Sequence, residues 1–189
     1  MRDMMVNRSI FLQKFFCAPT KIGSITPSSR FLARKMMASL PWEDMERVVE
    51  LGAGTGVFTE YIAAHKKKTC QAVILEQDTL MRSQLEARFP ELLFGSQAEN
   101  LPFILQKFGL GKVDCIISGL PFAIFTRELR EQILCGAECS LKPGGQFVAF
   151  QYSLQMYPTL HKRFADVKLG FEVRNFPPAV VYHCQKKNF

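Results

Sequence analysis

Glu50-Leu51-Gly52-Ala53-Gly54-Thr55-Gly56 is the stretch that decides the fold. It ends an apolar run over residues 47–51 and precedes a helical pattern over residues 58–65. Closely spaced glycines between a strand and a helix let the backbone turn sharply and allow a ligand to approach the main chain. NAD, FAD and S-adenosylmethionine (SAM) folds all use such loops, so the glycines alone leave the ligand open. The preceding acid narrows the choice. A carboxylate at residue 50 can address a cationic amine, which the methionine part of SAM has and a dinucleotide pyrophosphate lacks. The next apolar run, residues 71–75, ends in Glu76-Gln77-Asp78. An acid at that strand end suits bidentate hydrogen bonding to a ribose diol.

Outward from this loop the chain keeps alternating. Residues 71–75, 92–94, 113–117 and 146–152 read as strands, and residues 80–89 and 127–138 as helices. Leu141-Lys142-Pro143-Gly144-Gly145 reads as a turn. Short Gly/Pro punctuation between such segments specifies βαβ units around a mainly parallel sheet. Residues 171–175 and 180–185 flank Phe176-Pro177-Pro178-Ala179 and read as a hairpin-like pair closing the sheet.

The first 40 residues stand outside that alternation. Met4, Met5, Phe11, Leu12, Phe15 and Phe16 fall near helical spacing, with Arg2, Arg8 and Lys14 among the polar positions. This predicts an amphipathic helix ended by Pro19, either packed across the sheet or lying in lipid headgroups. A second helix is expected from the N-cap Ser28 or Ser29 to Met37.

Composition sets the outer limits. At 189 residues, 48% hydrophobic with 17 Phe, the chain is one domain with a real core. No apolar run is long enough for a transmembrane helix, and the amino end lacks the pattern of a secretory signal. Cys17, Cys70, Cys115, Cys135, Cys139 and Cys184 form no CxxC pair, which suggests buried hydrophobes in a reducing cytoplasm. The His and Cys are not spaced as metal ligands, so no metal is expected. The net charge of +7 favours phosphate, on nucleic acid or on an anionic membrane, without choosing between them.

From Arg47 onward the chain resembles class I SAM-dependent methyltransferases, through the Glu50 to Gly56 loop, Glu76, the 141–145 turn and the terminal strand pair. The resemblance implies a Rossmann-like α/β fold: a mainly parallel seven-stranded sheet, helices on both faces, and an N-terminal helical extension. Residues 1–40 would be the extension and residues 41–189 the SAM-binding domain. It implies that Glu50, Gly52, Gly54 and Gly56 hold the methionine end of SAM, and Glu76 with Gln77 the ribose. Gln97 and Ala98 would stand at the adenine, where the family usually has an Asp. Ser118-Gly119-Leu120-Pro121-Phe122 resembles the methyl-transfer loop of enzymes that methylate nitrogen, closest to rRNA adenine dimethyltransferases. There the first polar side chain and loop carbonyls receive the N–H groups, and the aromatic packs on the target.

Three further segments resemble bacterial phospholipid N-methyltransferases of the rRNA-methylase-like branch. They are Gly23-Ser24-Ile25-Thr26-Pro27-Ser28-Ser29-Arg30, the Ser118 to Pro121 loop, and Asn175-Phe176-Pro177-Pro178-Ala179-Val180-Val181-Tyr182. This resemblance implies a SAM-dependent enzyme acting on phosphatidylethanolamine and its methylated forms, toward phosphatidylcholine, with no obligate nucleic acid. It places the protein in the cytoplasm, peripherally on the inner face of the cell membrane, with Phe11, Lys14, Phe15 and Phe16 as the contact. Ser24, Thr26, Ser28 and Arg30 become substrate-side candidates, with Arg30 or Lys21 for the lipid phosphate. Tyr152 and Tyr157 follow the fifth strand, and their faces suit a methylated ammonium; core packing is the plain alternative. His65, His161 and His183 lie outside these loops, so no general base stands out. The competing readings are an rRNA adenine N6-methyltransferase, with Phe122 stacking on a flipped base, and a non-catalytic SAM- or lipid-binding module.

Overall fold

The computed structural model describes residues 27–188. The expectations for Phe11, Lys14, Phe15, Phe16, Ser24 and Thr26 lie outside the described residues. From there the chain runs α1 (Pro27–Met37), β1 (Arg47–Leu51), α2 (Val57–His65), β2 (Gln71–Leu75) and α3 (Thr79–Arg88). It continues through β3 (Leu93–Gly95), α4 (Leu101–Lys107), β4 (Val113–Ser118), α5 (Arg127–Ser140) and β5 (Leu141–Gln151). It ends with α6 (Tyr157–Arg163), β6 (Asp166–Glu172) and β7 (Ala179–Gln185).

The seven strands form one sheet in the order β3-β2-β1-β4-β5-β7-β6. The first five are parallel, and β7 runs antiparallel to both its neighbours. This is the Rossmann-like, mainly parallel α/β sheet expected, with the terminal pair as its antiparallel edge. Strand order reverses beside β1, and ligands of open α/β sheets bind at the carboxyl edge of such a switch point. The register aligns that edge: Leu51 is opposite Leu75 on one side and Ser118 on the other, and Ser118 is opposite Ala149.

Both faces of the sheet are apolar, because helices cover both. On one, Val49, Leu51, Ile116 and Phe147 meet Leu101 and Leu105 of α4, Ile133 and Leu134 of α5, and Leu160 of α6. On the other, Val48, Ile74, Ile117 and Val148 meet Leu32, Met36 and Met37 of α1, Phe58 and Ile62 of α2, and Leu85 of α3. The helix anticipated from Ser28 is α1. Its inner side carries buried Leu32, Ala33, Met36 and Met37, so it belongs to the core of the domain.

Three local expectations change. The 141–145 turn is drawn into β5: Leu141 pairs with Val113 and Gln146 with Cys115, so the extra residues form an irregular bulge in which Gly144 takes φ +71°. The late hairpin starts earlier than its most apolar residues suggest, at Asp166. α4 and α6 are additional short helices, each with Pro102 or Pro158 in its first turn.

Candidate active site

The glycine loop leaves β1 at Leu51. Its first turn hangs on β2, with the Gly52 amide donating to the Leu75 carbonyl at 2.8 Å. Gly52, Gly54 and Gly56 take φ of +75°, +55° and +88°, a region that side-chain-bearing residues rarely enter. Gly56 then caps α2 in the left-handed conformation.

Two acids converge on this loop. Glu50 is fully buried, and its Oε2 accepts from the Thr59 hydroxyl of α2 at 2.7 Å. Its other oxygen, Oε1, has no hydrogen-bond partner among the described residues. Burial pushes the Glu50 carboxyl up to about 8, with the nearby Glu76 charge adding to the rise and the Thr59 hydrogen bond opposing it. Glu76 is also buried; its Oε2 accepts from the Gly54 amide at 2.7 Å and its Oε1 from the Asp78 amide at 2.8 Å. It therefore clamps the glycine loop to the end of β2. Gln77 is exposed beside it, and Asp78 caps α3 by accepting from Leu80 and Met81.

Along the same edge, Gln97 is exposed and accepts from the Asn100 side chain at 2.6 Å, and Ala98 is buried next to it. The 118–122 loop crosses directly over the glycine loop. The Gly119 amide donates to the Leu51 carbonyl at 2.8 Å, and a Cβ added at Gly119 would lie 2.7 Å from the Gly52 carbonyl oxygen. That explains why a glycine stands between Ser118 and Leu120. The crowded partner is backbone, so Gly119→Ala is expected to cost about 1–3 kcal/mol. It should lower the melting temperature and cofactor affinity together; an unshifted melting curve would show that the loops have room to part.

Residues 22–177 match the Methyltransferase small domain family. The chain belongs to that family. Its cofactor is SAM. Over 181 residues it is 36% identical to an ornithine lipid N-methyltransferase of Singulisphaera acidiphila, covering 93% of this chain and 94% of that protein. Among solved structures it is similar to the 1,6-didemethyltoxoflavin N1-methyltransferase of Burkholderia thailandensis, at TM-score 0.71 and 15% identity, over 98% of this chain and 89% of that one. It is also similar to the N-methyltransferase NodS of Bradyrhizobium japonicum, at TM-score 0.64 and 13% identity, over 84% and 85%. Those two likenesses bear on the fold.

The methyltransferase's residues fit SAM. A buried, unpartnered carboxylate oxygen on Glu50 matches an ammonium group, at the root of a loop that three left-handed glycines turn sharply. The substrate side differs from expectation. Phe122 was expected to face the target, but its ring is 1% exposed and packs edge-on to Phe125 and tilted to Phe147. The cause is the short 3₁₀ turn at Phe122–Ile124, which carries the ring down into the core beneath β4 and β5. An aromatic row does border the loop, from other residues. Phe58 lies 3.6 Å from the position of a Gly119 Cβ, meets Phe150 edge-on at 5.9 Å, and Phe150 meets Tyr152 edge-on at 5.7 Å. Tyr152 is thus on the α1–α2 side. Tyr157, paired with it in the sequence reading, packs against the opposite core, 5.5 Å from the His161 ring.

Arg30 is exposed on α1, and Ser28 is in the first turn of the same helix. Sequence reading missed Thr59, Phe58, Phe150 and Gln151. Gln151 is buried at the end of β5, and its Nε2 donates to the Leu120 carbonyl at 2.9 Å and to the Phe150 carbonyl. No spacing signal marks Phe58, Phe150 and Gln151, whose contacts are distant in sequence; Thr59 lies nine residues after Glu50, one helix turn beyond the glycine loop, and was within reach of a local reading. Among the described residues no helix is long and apolar enough to cross a membrane.

Proposed function

We propose that this enzyme methylates the amine of a membrane lipid, with phosphatidylethanolamine and its methylated forms as substrates on the way to phosphatidylcholine. The observation that carries the lipid class is the 36% identity, over nearly the whole of both chains, to an ornithine lipid N-methyltransferase. Both head groups present an amine beside an anion, so the shared chemistry is stronger than either name.

In this reading Glu50, Gly52, Gly54 and Gly56 hold the methionine end of SAM, Glu76 and Gln77 the ribose, and Gln97 and Ala98 border the adenine. Bound SAM supplies an electrophilic methyl group on a sulfonium. The chain's own part is positioning: an in-line displacement gains most from alignment and from exclusion of water. The carbonyls of Gly119 and Leu120, with Pro121 fixing the turn, receive the N–H groups of the incoming amine, while Ser118, expected to do so as well, is buried and its Oγ accepts from the Leu120 amide at 3.3 Å, which holds the loop. Phe58, Phe150 and Tyr152 form the apolar wall, and their faces tolerate the cationic product. Arg30, near Ser28, meets the head-group anion, phosphate or carboxylate. The same reading assigns a membrane contact on the inner face of the cell membrane to Phe11, Lys14, Phe15 and Phe16, and substrate contacts to Ser24 and Thr26, all of them outside the described residues.

Gln151 acts as a positioning residue, because it holds the Leu120 carbonyl in place. Gln151→Leu is expected to lower kcat about tenfold, with KM for SAM and SAM affinity little changed. An equal loss in SAM affinity would make the contact merely structural.

The deciding assay offers radiolabelled SAM with vesicles of phosphatidylethanolamine, vesicles of ornithine lipid, and ribosomal RNA in parallel. Label in the first supports the full proposal. Label in ornithine lipid alone keeps the lipid class and moves the head group. Label in RNA alone overturns it.

A further inference from the structure

The loop between β6 and β7, residues 173–178, inverts the usual composition of a surface turn. Turns ordinarily show polar side chains to water and turn apolar ones inward. Here Phe176 is 89% exposed and Val173 75%, with Phe171 of β6 at 59% beside them. The polar side chains are the ones tied down. The buried Glu172 carboxylate accepts from the Arg174 amide at 3.0 Å, its Nε at 2.7 Å and its Nη2 at 2.8 Å. Asn175 is buried and donates to the Pro177 carbonyl at 2.7 Å. The Arg174 guanidinium also lies 4.1 Å over the Phe31 ring of α1, so the tip is fastened to that helix. A tip held this firmly from within, with its two most apolar side chains outward, is shaped to enter an apolar medium.

Place and charge identify the medium. Glu172 is opposite Ala179 and Gln151 opposite Val180, so the tip stands at the carboxyl edge of the sheet, next to the strand end that carries Gln151. The adjoining α1 reads PSSRFLARKMM: Arg30, Arg34 and Lys35 are all exposed and no acid is present. Rings that can sit among acyl chains, beside cations that can meet anionic head groups, are the two halves of an interfacial contact. A second copy of the chain fits less well, since it would bring the same cations face to face.

We propose that the 173–178 tip is a membrane wedge that seats the carboxyl edge of the sheet on an anionic lipid surface. This deepens the lipid-amine reading, and rests on it for what enters the site, although the docking itself is read independently. The wedge brings the mouth of the site to the head-group plane, so a substrate amine reaches the 118–122 loop without its acyl chains leaving the bilayer.

The test uses the full chain in two variants. In Phe176→Trp the indole reports its surroundings against a constant background from the buried Trp42. With vesicles of phosphatidylethanolamine and phosphatidylglycerol, the added emission should shift to the blue and be quenched by brominated acyl chains. In buffer it should resemble exposed indole. The double change Val173→Ser, Phe176→Ser should weaken sedimentation with those vesicles about tenfold or more, leaving melting temperature and SAM affinity unchanged. Unshifted emission with vesicles, or undiminished sedimentation of the double variant, overturns the wedge. Emission already blue in buffer also overturns it, because the tip is then covered by the chain's own residues or by a second copy. Should the parent dock and the double variant not, while neither methylates a lipid amine, the wedge stands and the substrate proposal falls.

Discussion

Glu50→Gln is expected to lose SAM affinity by roughly 100-fold or more, and yet to melt at a higher temperature than the parent at pH 8. The loss follows from the site: the fully buried carboxylate has one oxygen on Thr59 and one unpartnered, and only a charged group there can hold an ammonium strongly. The gain in stability has the same origin. In the unfolded chain Glu50 ionises at its ordinary 4.5, and in the fold burial pushes it up to about 8. Between those values the unfolded state releases a proton that the folded state keeps. The parent therefore loses stability as pH rises through that window, by about 1.4 kcal/mol per unit, and levels off above it. Glutamine does not titrate, so the gap between the two proteins opens from pH 4.5 and is widest from pH 8 upward. Melting curves from pH 5 to 9, with calorimetry for SAM, check both halves. Parallel melting profiles would mean that Glu50 ionises freely in the empty site. The parent should also release a proton as SAM binds near neutral pH.

Phe122→Ala is expected to cost about 3–5 kcal/mol of stability, the range for deleting a buried ring. The ring centroid lies 6.1 Å from Phe125 and 6.3 Å from Phe147, in a core shared with α5 and α6. SAM binding and turnover should then decline together, following the folded fraction. A variant as stable as the parent that lost turnover alone would put the ring back on the substrate side.

The contrast between these two residues shows what the sequence could carry. Glu50 was legible because its chemistry is tied to local order: a strand, an acid, then glycines that must turn. The same holds for Glu76 at the end of β2, and for the central strands β1, β2 and β4, each an apolar run of its own; β6, Asp166–Glu172, alternates with polar residues, and its start was not legible. Phe122 follows a proline in a loop, and no periodicity says which way a single loop ring points. Its burial depends on Phe147 and on helices far along the chain. The short helices α4 and α6 have seven residues each, too few for an apolar stripe to repeat, although Pro102 and Pro158 were available as start signals. Tyr152 and Tyr157 are close in sequence but fall on opposite sides of the sheet, because β5 ends between the two cores.

The insertion of β7 between β5 and β6 has a consequence for biosynthesis. β6 is made first, and among the described residues its sole neighbour in the sheet is the strand that follows it. Until residues 179–185 have been synthesised, β5 and β6 both present unsatisfied backbone edges, and Leu169 and Phe171 are exposed on one of them. A chain released in that interval offers two open templates for a neighbouring polypeptide. Premature stops between residues 173 and 179 should therefore yield insoluble product out of proportion to the few residues lost.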